Sequence, residues 1–163
     1  MYYDEGLGAP FDHAYSLGPC VVKPTSRGKI SLRSARPDAK PRIVHNYLAT
    51  REDRECMLTG VRVTLQIAEQ EALRRYRRAL HLAPASDSEA DIWEFVKRRC
   101  HSLYHPTSTC AIGRVVDSEL RVLGVDGLRV VDASVMPSIV RGNTNAPTIM
   151  IAEKASDLIQ GKA

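Results

Sequence analysis

Leu128-Arg129-Val130-Val131-Asp132-Ala133-Ser134-Val135-Met136-Pro137, followed shortly by Gly142-Asn143-Thr144-Asn145-Ala146-Pro147-Thr148, is the stretch that decides the fold. Its first half closes a short β-rich segment, Leu120 to Ala133, with Val122, Val125, Leu128, Val130 and Val131 set around turn signals at Gly124 and Asp126-Gly127. Its second half opens a helix. Asn145 is suited to cap it, Pro147 falls in the first turn where a missing N–H costs nothing, and Gly161 ends it. The early turns, Ile149-Met150-Ile151-Ala152, are apolar on every side, which predicts a buried helix start.

Upstream the texture is different. Residues 1–25 hold Gly6, Gly8, Pro10, Gly18, Pro19 and Pro24 without sustained periodicity and read as an extended arm. From Gly28 the residues alternate, with Ile30 and Leu32 on one side and Lys29, Ser31 and Arg33 on the other, the pattern of a half-buried strand. A turn region with two prolines follows, and Ile43 to Leu48 is a second extended segment. Thr50-Arg51-Glu52-Asp53 has the spacing of a capping box, and Met57, Leu58, Val61, Leu65 and Ala68 then recur at helical spacing. A second helix is predicted from Ser88, with Asp91 three residues on, burying Ile92, Phe95, Val96 and Cys100.

Composition excludes several classes. The 163 residues are 44% hydrophobic and 26% charged, an ordinary globular balance rather than that of a disordered chain. No apolar run approaches the roughly 18–20 residues that cross a bilayer, and Met1-Tyr2-Tyr3-Asp4-Glu5 lacks the basic and apolar regions of a secretory signal. The four cysteines form no C-x-x-C pair, which argues against a zinc ribbon or a disulfide framework. A reducing, cytoplasmic setting is the expectation, with peripheral membrane association left open. The net charge is +4, and the densest basic cluster is Arg74-Arg75-Tyr76-Arg77-Arg78. With Glu69 and Glu71 nearby and no nucleic-acid motif in the chain, it reads as a solvated helix face rather than a nucleic-acid site.

Candidate chemistry centres on histidine. His101 and His105 stand four apart, a spacing that can put two imidazoles on one helical face, but Pro106 biases His105 away from the helical conformation and no HExxH glutamate accompanies them. No metal site is expected. There is no G-x-S-x-G elbow and no papain-type cysteine signature. His105 instead lies in Leu103-Tyr104-His105-Pro106-Thr107-Ser108-Thr109-Cys110, between a helix and the β-rich segment. An imidazole is the side chain whose proton exchange falls nearest neutral pH, which suits a general base.

The decisive stretch, with its Asp132-Ala133 and Gly142-Asn143-Thr144-Asn145-Ala146-Pro147-Thr148 motifs, strongly resembles the C-terminal signature of the glucose–methanol–choline family of flavin oxidoreductases. His105-Pro106 lies where that family has its catalytic histidine, and Ser26 to Leu32 is similar to its substrate-domain strand. The resemblance runs from about Pro24 to Ile159 and points to the choline dehydrogenase-like branch, because Asn143 stands where many relatives have a second histidine. It implies an α+β fold: part of an antiparallel-sheet substrate domain with flanking helices over residues 1–104, then the catalytic histidine segment and the C-terminal strands and helix of an FAD-binding domain over 105–163. It also implies FAD as cofactor and oxidation of a small alcohol to a carbonyl. His105 would take the hydroxyl proton, Asn143 would orient the alcohol oxygen, and the α-hydride would pass to flavin N5. Asp132, Ala133, Asn143, Thr144, Asn145, Pro147 and Thr148 would face the cofactor, with the free N–H groups and positive dipole end of the last helix favouring the anionic reduced flavin.

Two departures stand against the family pattern. Ser108-Thr109 and Ala111-Ile112 replace the usual glycine-threonine and arginine-methionine, which leaves the alcohol unspecified. The dinucleotide fingerprint G-x-G-x-x-G is missing, since Gly6-Leu7-Gly8 has neither a third glycine nor a preceding strand. The nucleotide-binding half is therefore expected in cis or on a partner chain. The rival reading is a catalytically silent fragment or accessory module whose role is interaction.

Overall fold

Thr50 starts the longest helix, α1 (Arg51–Ala68), and does so with its hydroxyl, which accepts a hydrogen bond from the Asp53 N–H at 3.3 Å. Ser88 repeats the device at α2 (Glu89–Arg99), accepting from the Asp91 N–H at 3.2 Å. Each satisfies one of the donors that a helix start leaves without an intrahelical partner. The computed structural model describes residues 13–162. Two compact units divide it: one takes 48–103 together with the segment that ends at Val21, the other takes Val22–Tyr47 and the residues from Tyr104 on. The units thus interleave along the chain, where the sequence reading drew one boundary at 104.

In the first unit, α1 and α2 bury Leu58, Val61, Ile92 and Val96 against one another, with Leu48, Met57, Leu65 and Trp93 packed around them. The Arg54 guanidinium lies over the Trp93 ring at 5.5 Å. Gly60 belongs here for a steric reason: a Cβ at that position would stand 2.9 Å from the Cβ of Pro19. Cys100 is exposed rather than buried, because α2 ends at Arg99 and the apolar stripe ends with it. Residues 13–25 carry neither helix nor strand, as the arm reading expects; Gly6-Leu7-Gly8 lies outside the described residues. Arg74, Arg75 and Tyr76 of the arginine cluster lie in a 3₁₀ helix, Glu71–Tyr76, rather than on a regular α-helix. Arg74 pairs with Glu71 at 3.3 Å and Arg77 with Glu69 at 2.7 Å, and Arg77 also donates to the Ala68 carbonyl at the end of α1.

In the second unit, β1 (Lys29–Ser31) and β2 (Arg42–Val44) form an antiparallel hairpin in the register Lys29↔Val44, Ile30↔Ile43, Ser31↔Arg42. Gly28 is required where the strands close, since a Cβ there would meet the Val44 carbonyl oxygen at 2.4 Å. The half-buried strand expected from the alternation is not what forms. Ile30 is 51% and Leu32 86% exposed, because no second layer among the described residues covers that face. The core of this unit is Val116, Leu120, Val135 and Ala155, with Val115, Val122, Val130, Val131 and Ile151 around it. The β-rich segment before it is tied by isolated bridges, Val116↔Val122 and Arg121↔Arg129, rather than by full strands. The last helix, α3 (Asn145–Gln160), is closed by left-handed Gly161. Its cap is Thr144, not Asn145, which is already helical.

Candidate active site

His105 is placed by backbone on both sides. Tyr104 before it and Ser108 after it both hold positive φ, 60° and 74°, conformations a non-glycine residue keeps only where its surroundings impose them. Farther along, the Cys110 N–H donates to the Ser134 carbonyl and the Ile112 N–H to the Val135 carbonyl, each at 2.9 Å. The histidine segment is thereby laid along the 3₁₀ turn Ala133–Val135, whose Val135 and Met136 are buried. Asp132 caps that turn, its carboxylate accepting from the Ser134 N–H at 2.7 Å. The chain then runs through exposed Arg141 and Gly142 to Asn143 and the start of α3.

This route brings His105 to Asn143 across 38 positions of sequence. His105 Nε2 lies 3.3 Å from Asn143 Oδ1, and His105 Nδ1 lies 3.0 Å from Thr144 Oγ1. The imidazole is half-buried and Asn143, on its Nε2 side, is exposed. Thr144 is 8% exposed.

The start of α3 is the other half of the arrangement. Thr144 makes no side-chain capping bond, so the N–H groups of Asn145 and Ala146 lack an intrahelical partner, and Pro147 has no N–H to satisfy. Thr148 folds back on the first turn, its N–H at 3.1 Å and its hydroxyl at 2.6 Å both donating to the Thr144 carbonyl. The result is a helix end with unspent donors and the positive end of the helix dipole, next to an imidazole. Ile149 and Met150, 53% and 61% exposed, follow directly, so the helix start that the sequence marks as buried is open in this chain.

Of the residues singled out from sequence, His105, Asn143 and Thr144 are in direct contact, and Asn145, Pro147 and Thr148 adjoin them through α3. Asp132 and Ala133 sit on the neighbouring turn, with the Asp132 carboxylate engaged in its cap. His101 lies beyond the end of α2 and belongs to the other compact unit. Among the described residues no group of three His, Cys, Asp or Glu side chains could hold a metal ion. Desolvation first, and a neighbouring thiol second, push the Cys20 and Cys100 thiols above the ordinary cysteine value, which keeps both protonated. The bond between Thr144 and the imidazole is the feature sequence reasoning missed, since residues 39 apart leave no local signal of it.

Residues 24–152 match the C-terminal model of the GMC oxidoreductase family, well over half the chain. The chain belongs to the GMC oxidoreductase family. An uncharacterised GMC-type oxidoreductase of Mycobacterium tuberculosis is 48% identical over 98% of this chain and 32% of its own length. Human mitochondrial choline dehydrogenase is 46% identical over 98% of this chain and 28% of its own. Among solved structures, an FAD-dependent oxidoreductase from Chaetomium thermophilum superposes with a TM-score of 0.77 at 27% identity, over 86% of this chain and 25% of that one. The chain therefore spans about a third, or less, of the length of the GMC relatives it matches. The α+β fold, helices with a small antiparallel sheet, is that of the GMC structures. No helix among the described residues is long and apolar enough to cross a membrane.

Proposed function

We propose that this chain supplies the catalytic histidine and the flavin-facing helix of an FAD-dependent alcohol oxidoreductase that converts a small alcohol to a carbonyl. The observation that carries the reading is the meeting of His105 with Asn143 at 3.3 Å beside a helix start with unspent N–H groups. The donors at Asn145 and Ala146 fit the electron-rich edge of a flavin, and Pro147 adds no further N–H to satisfy in the first turn. Asn143, Thr144, Asn145, Pro147 and Thr148 would hold the group there, with Asp132 and Ala133 lining its approach. FAD, when bound, would supply the acceptor for the hydride, that is, for both electrons of the oxidation.

The work of the chain's own residues follows from their chemistry. Nε2 of His105 accepts the hydroxyl proton of the alcohol, which raises electron density on that oxygen and weakens the adjacent C–H bond. Asn143 binds the same oxygen through its amide and fixes which C–H faces the acceptor. The strained backbone at Tyr104 and Ser108 holds the imidazole in register with both.

In this reading residues 1–104 serve the substrate domain and 105–163 complete the flavin domain, with the β1–β2 hairpin packed in the same compact unit as the second stretch. The pyrophosphate cradle, for which the chain has no G-x-G-x-x-G, is assigned to polypeptide beyond these 163 residues. The homologous choline dehydrogenases and alcohol dehydrogenase support an alcohol substrate class. The test is His105→Ala in the flavin-loaded enzyme that contains this chain, read by stopped-flow flavin reduction under alcohol; reduction at the wild-type rate overturns the assignment.

A further inference from the structure

We propose that Cys20 and Cys56 form an oxidation site: hydrogen peroxide joins them in a reversible disulfide that ties the segment 13–21 to α1. The inference does not depend on the role of His105.

Three observations carry it. Pro19 lies so close to α1 that a Cβ on Gly60 would stand 2.9 Å from the Pro19 Cβ. Cys20 is the next residue along the arm, and Cys56 is one turn back from Gly60 on the same face of α1. One backbone step of about 3.8 Å and one helical turn of about 5.4 Å thus separate the two cysteines from that contact. Second, the thiols act on one another. After burial, the Cys56 thiol is the second cause that holds the Cys20 proton above the ordinary cysteine value, which puts Cys20 on the Cys56 side of the Pro19 contact. Third, both are free thiols on exposed residues, within reach of a small oxidant.

The topology gives such a bond a consequence. The chain leaves the first compact unit after Val21 and returns to it at Leu48, so Cys20 and Cys56 flank the whole excursion that carries the β1–β2 hairpin. Residues 13–21 have neither helix nor strand, and no ladder of backbone hydrogen bonds holds them. A disulfide here closes the base of the excursion and fixes the arm on α1 where regular structure does not.

The chemistry balances in two steps. The Cys56 sulfur, as thiolate, attacks one peroxide oxygen; the O–O bond breaks, and the products are a sulfenic acid on Cys56 and one water. The Cys20 sulfur then attacks the Cys56 sulfur; the S–O bond breaks, and its oxygen leaves with the Cys20 proton as a second water. The two thiols lose two electrons together and the peroxide gains them. Cys20 takes the second step because its thiol, held protonated by burial and by its neighbour, is the poorer first nucleophile. A small thiol reductant reopens the bond by exchange.

The experiment treats the flavin-loaded enzyme that contains this chain with hydrogen peroxide, alkylates the remaining thiols and maps the peptides by mass. The expected result is a Cys20–Cys56 linked peptide that disappears on reduction and persists in Cys110→Ser. In Cys20→Ser the link is lost, and a 1,3-diketone probe should trap Cys56 as its sulfenic acid. Cys20 joined to Cys100, whose thiol it also influences, overturns the pairing. Cys20 and Cys56 both still alkylated after peroxide overturns the site. Hydrogen exchange reads the tie itself: oxidation should slow the amides of residues 15–21 about tenfold in the wild type and leave them unchanged in Cys20→Ser. No slowing in the wild type, or equal slowing in Cys20→Ser, overturns the claim that the bond holds the arm on α1.

Discussion

At position 105 the proposed reading asks a single imidazole to do the proton chemistry, and it gives the side chains around it unequal roles. Truncating it to alanine removes a general base, which typically lowers the rate by about 10²–10⁴. Because the proposed reading also has Asn143 hold the alcohol, substrate binding should weaken far less than flavin reduction slows. Asn143→Ala should be milder, since a neutral hydrogen bond to the alcohol oxygen contributes only about 0.5–1.5 kcal/mol, roughly a factor of 2–10. Stopped-flow reduction across a range of alcohol concentrations separates the two, and an Asn143→Ala defect as deep as that of His105→Ala would reverse the assigned roles. His105 and Asn143, which the fold brings within 3.3 Å of each other, could be singled out in the sequence because each lies inside a short motif with fixed neighbours, Pro106 for one and Gly142 to Thr148 for the other. Their contact with Thr144 was not legible, for the partner choice of a hydroxyl depends on backbone angles that no residue spacing encodes.

Helices announced themselves better than strands. The starts at Thr50 and Ser88 follow from a hydroxyl placed three residues before a carboxylate, and both hydroxyls make the capping bond. Ser88→Ala should therefore destabilise the first unit by about 1 kcal/mol, within the roughly 0.5–2 kcal/mol known for lost caps. Urea unfolding followed by Trp93 fluorescence checks this, and Ser88→Asp should recover the loss, since aspartate caps as well as serine. The hairpin was harder. Alternation at Ile30 and Leu32 correctly marked an extended segment with an apolar side, but alternation says nothing about what lies against that side. The cap of α3 slipped by one residue for a different reason: Thr144 and Asn145 are both good capping types, and the competing bond to His105 decided between them. The β-rich segment from Leu120 to Ala133 yields isolated bridges because its turns at Gly124 and Gly127 come too close together for ladders to lengthen.

For the chain as a whole, what these 163 residues can hold follows from what they lack and what they leave uncovered. On the proposed reading the donors of α3 reach only the flavin end of the cofactor, and the sequence has no pyrophosphate-cradle motif, so the purified chain should not retain FAD; a stoichiometric flavin absorbance after gel filtration would contradict this. The same geometry bears on solubility. Ile149 and Met150 lie on the first turns of α3 and are more than half exposed, and Ile159 is 59% exposed near its end. Each such side chain contributes about 1.5–3 kcal/mol when fully buried. An ordinary domain is stable by only about 5–15 kcal/mol, so leaving several of them in water is a substantial loss. Exposed apolar surface of this kind is relieved by association or by local fraying. The expected outcome is a chain that self-associates, with amides after about Gly142 exchanging faster than those of α1. Light scattering combined with hydrogen exchange measures both quantities, and the pair Ile149→Ser with Met150→Ser should reduce the association if this surface drives it. A monodisperse monomer, protected through Ile159, would instead favour an accessory module that is stable without further polypeptide.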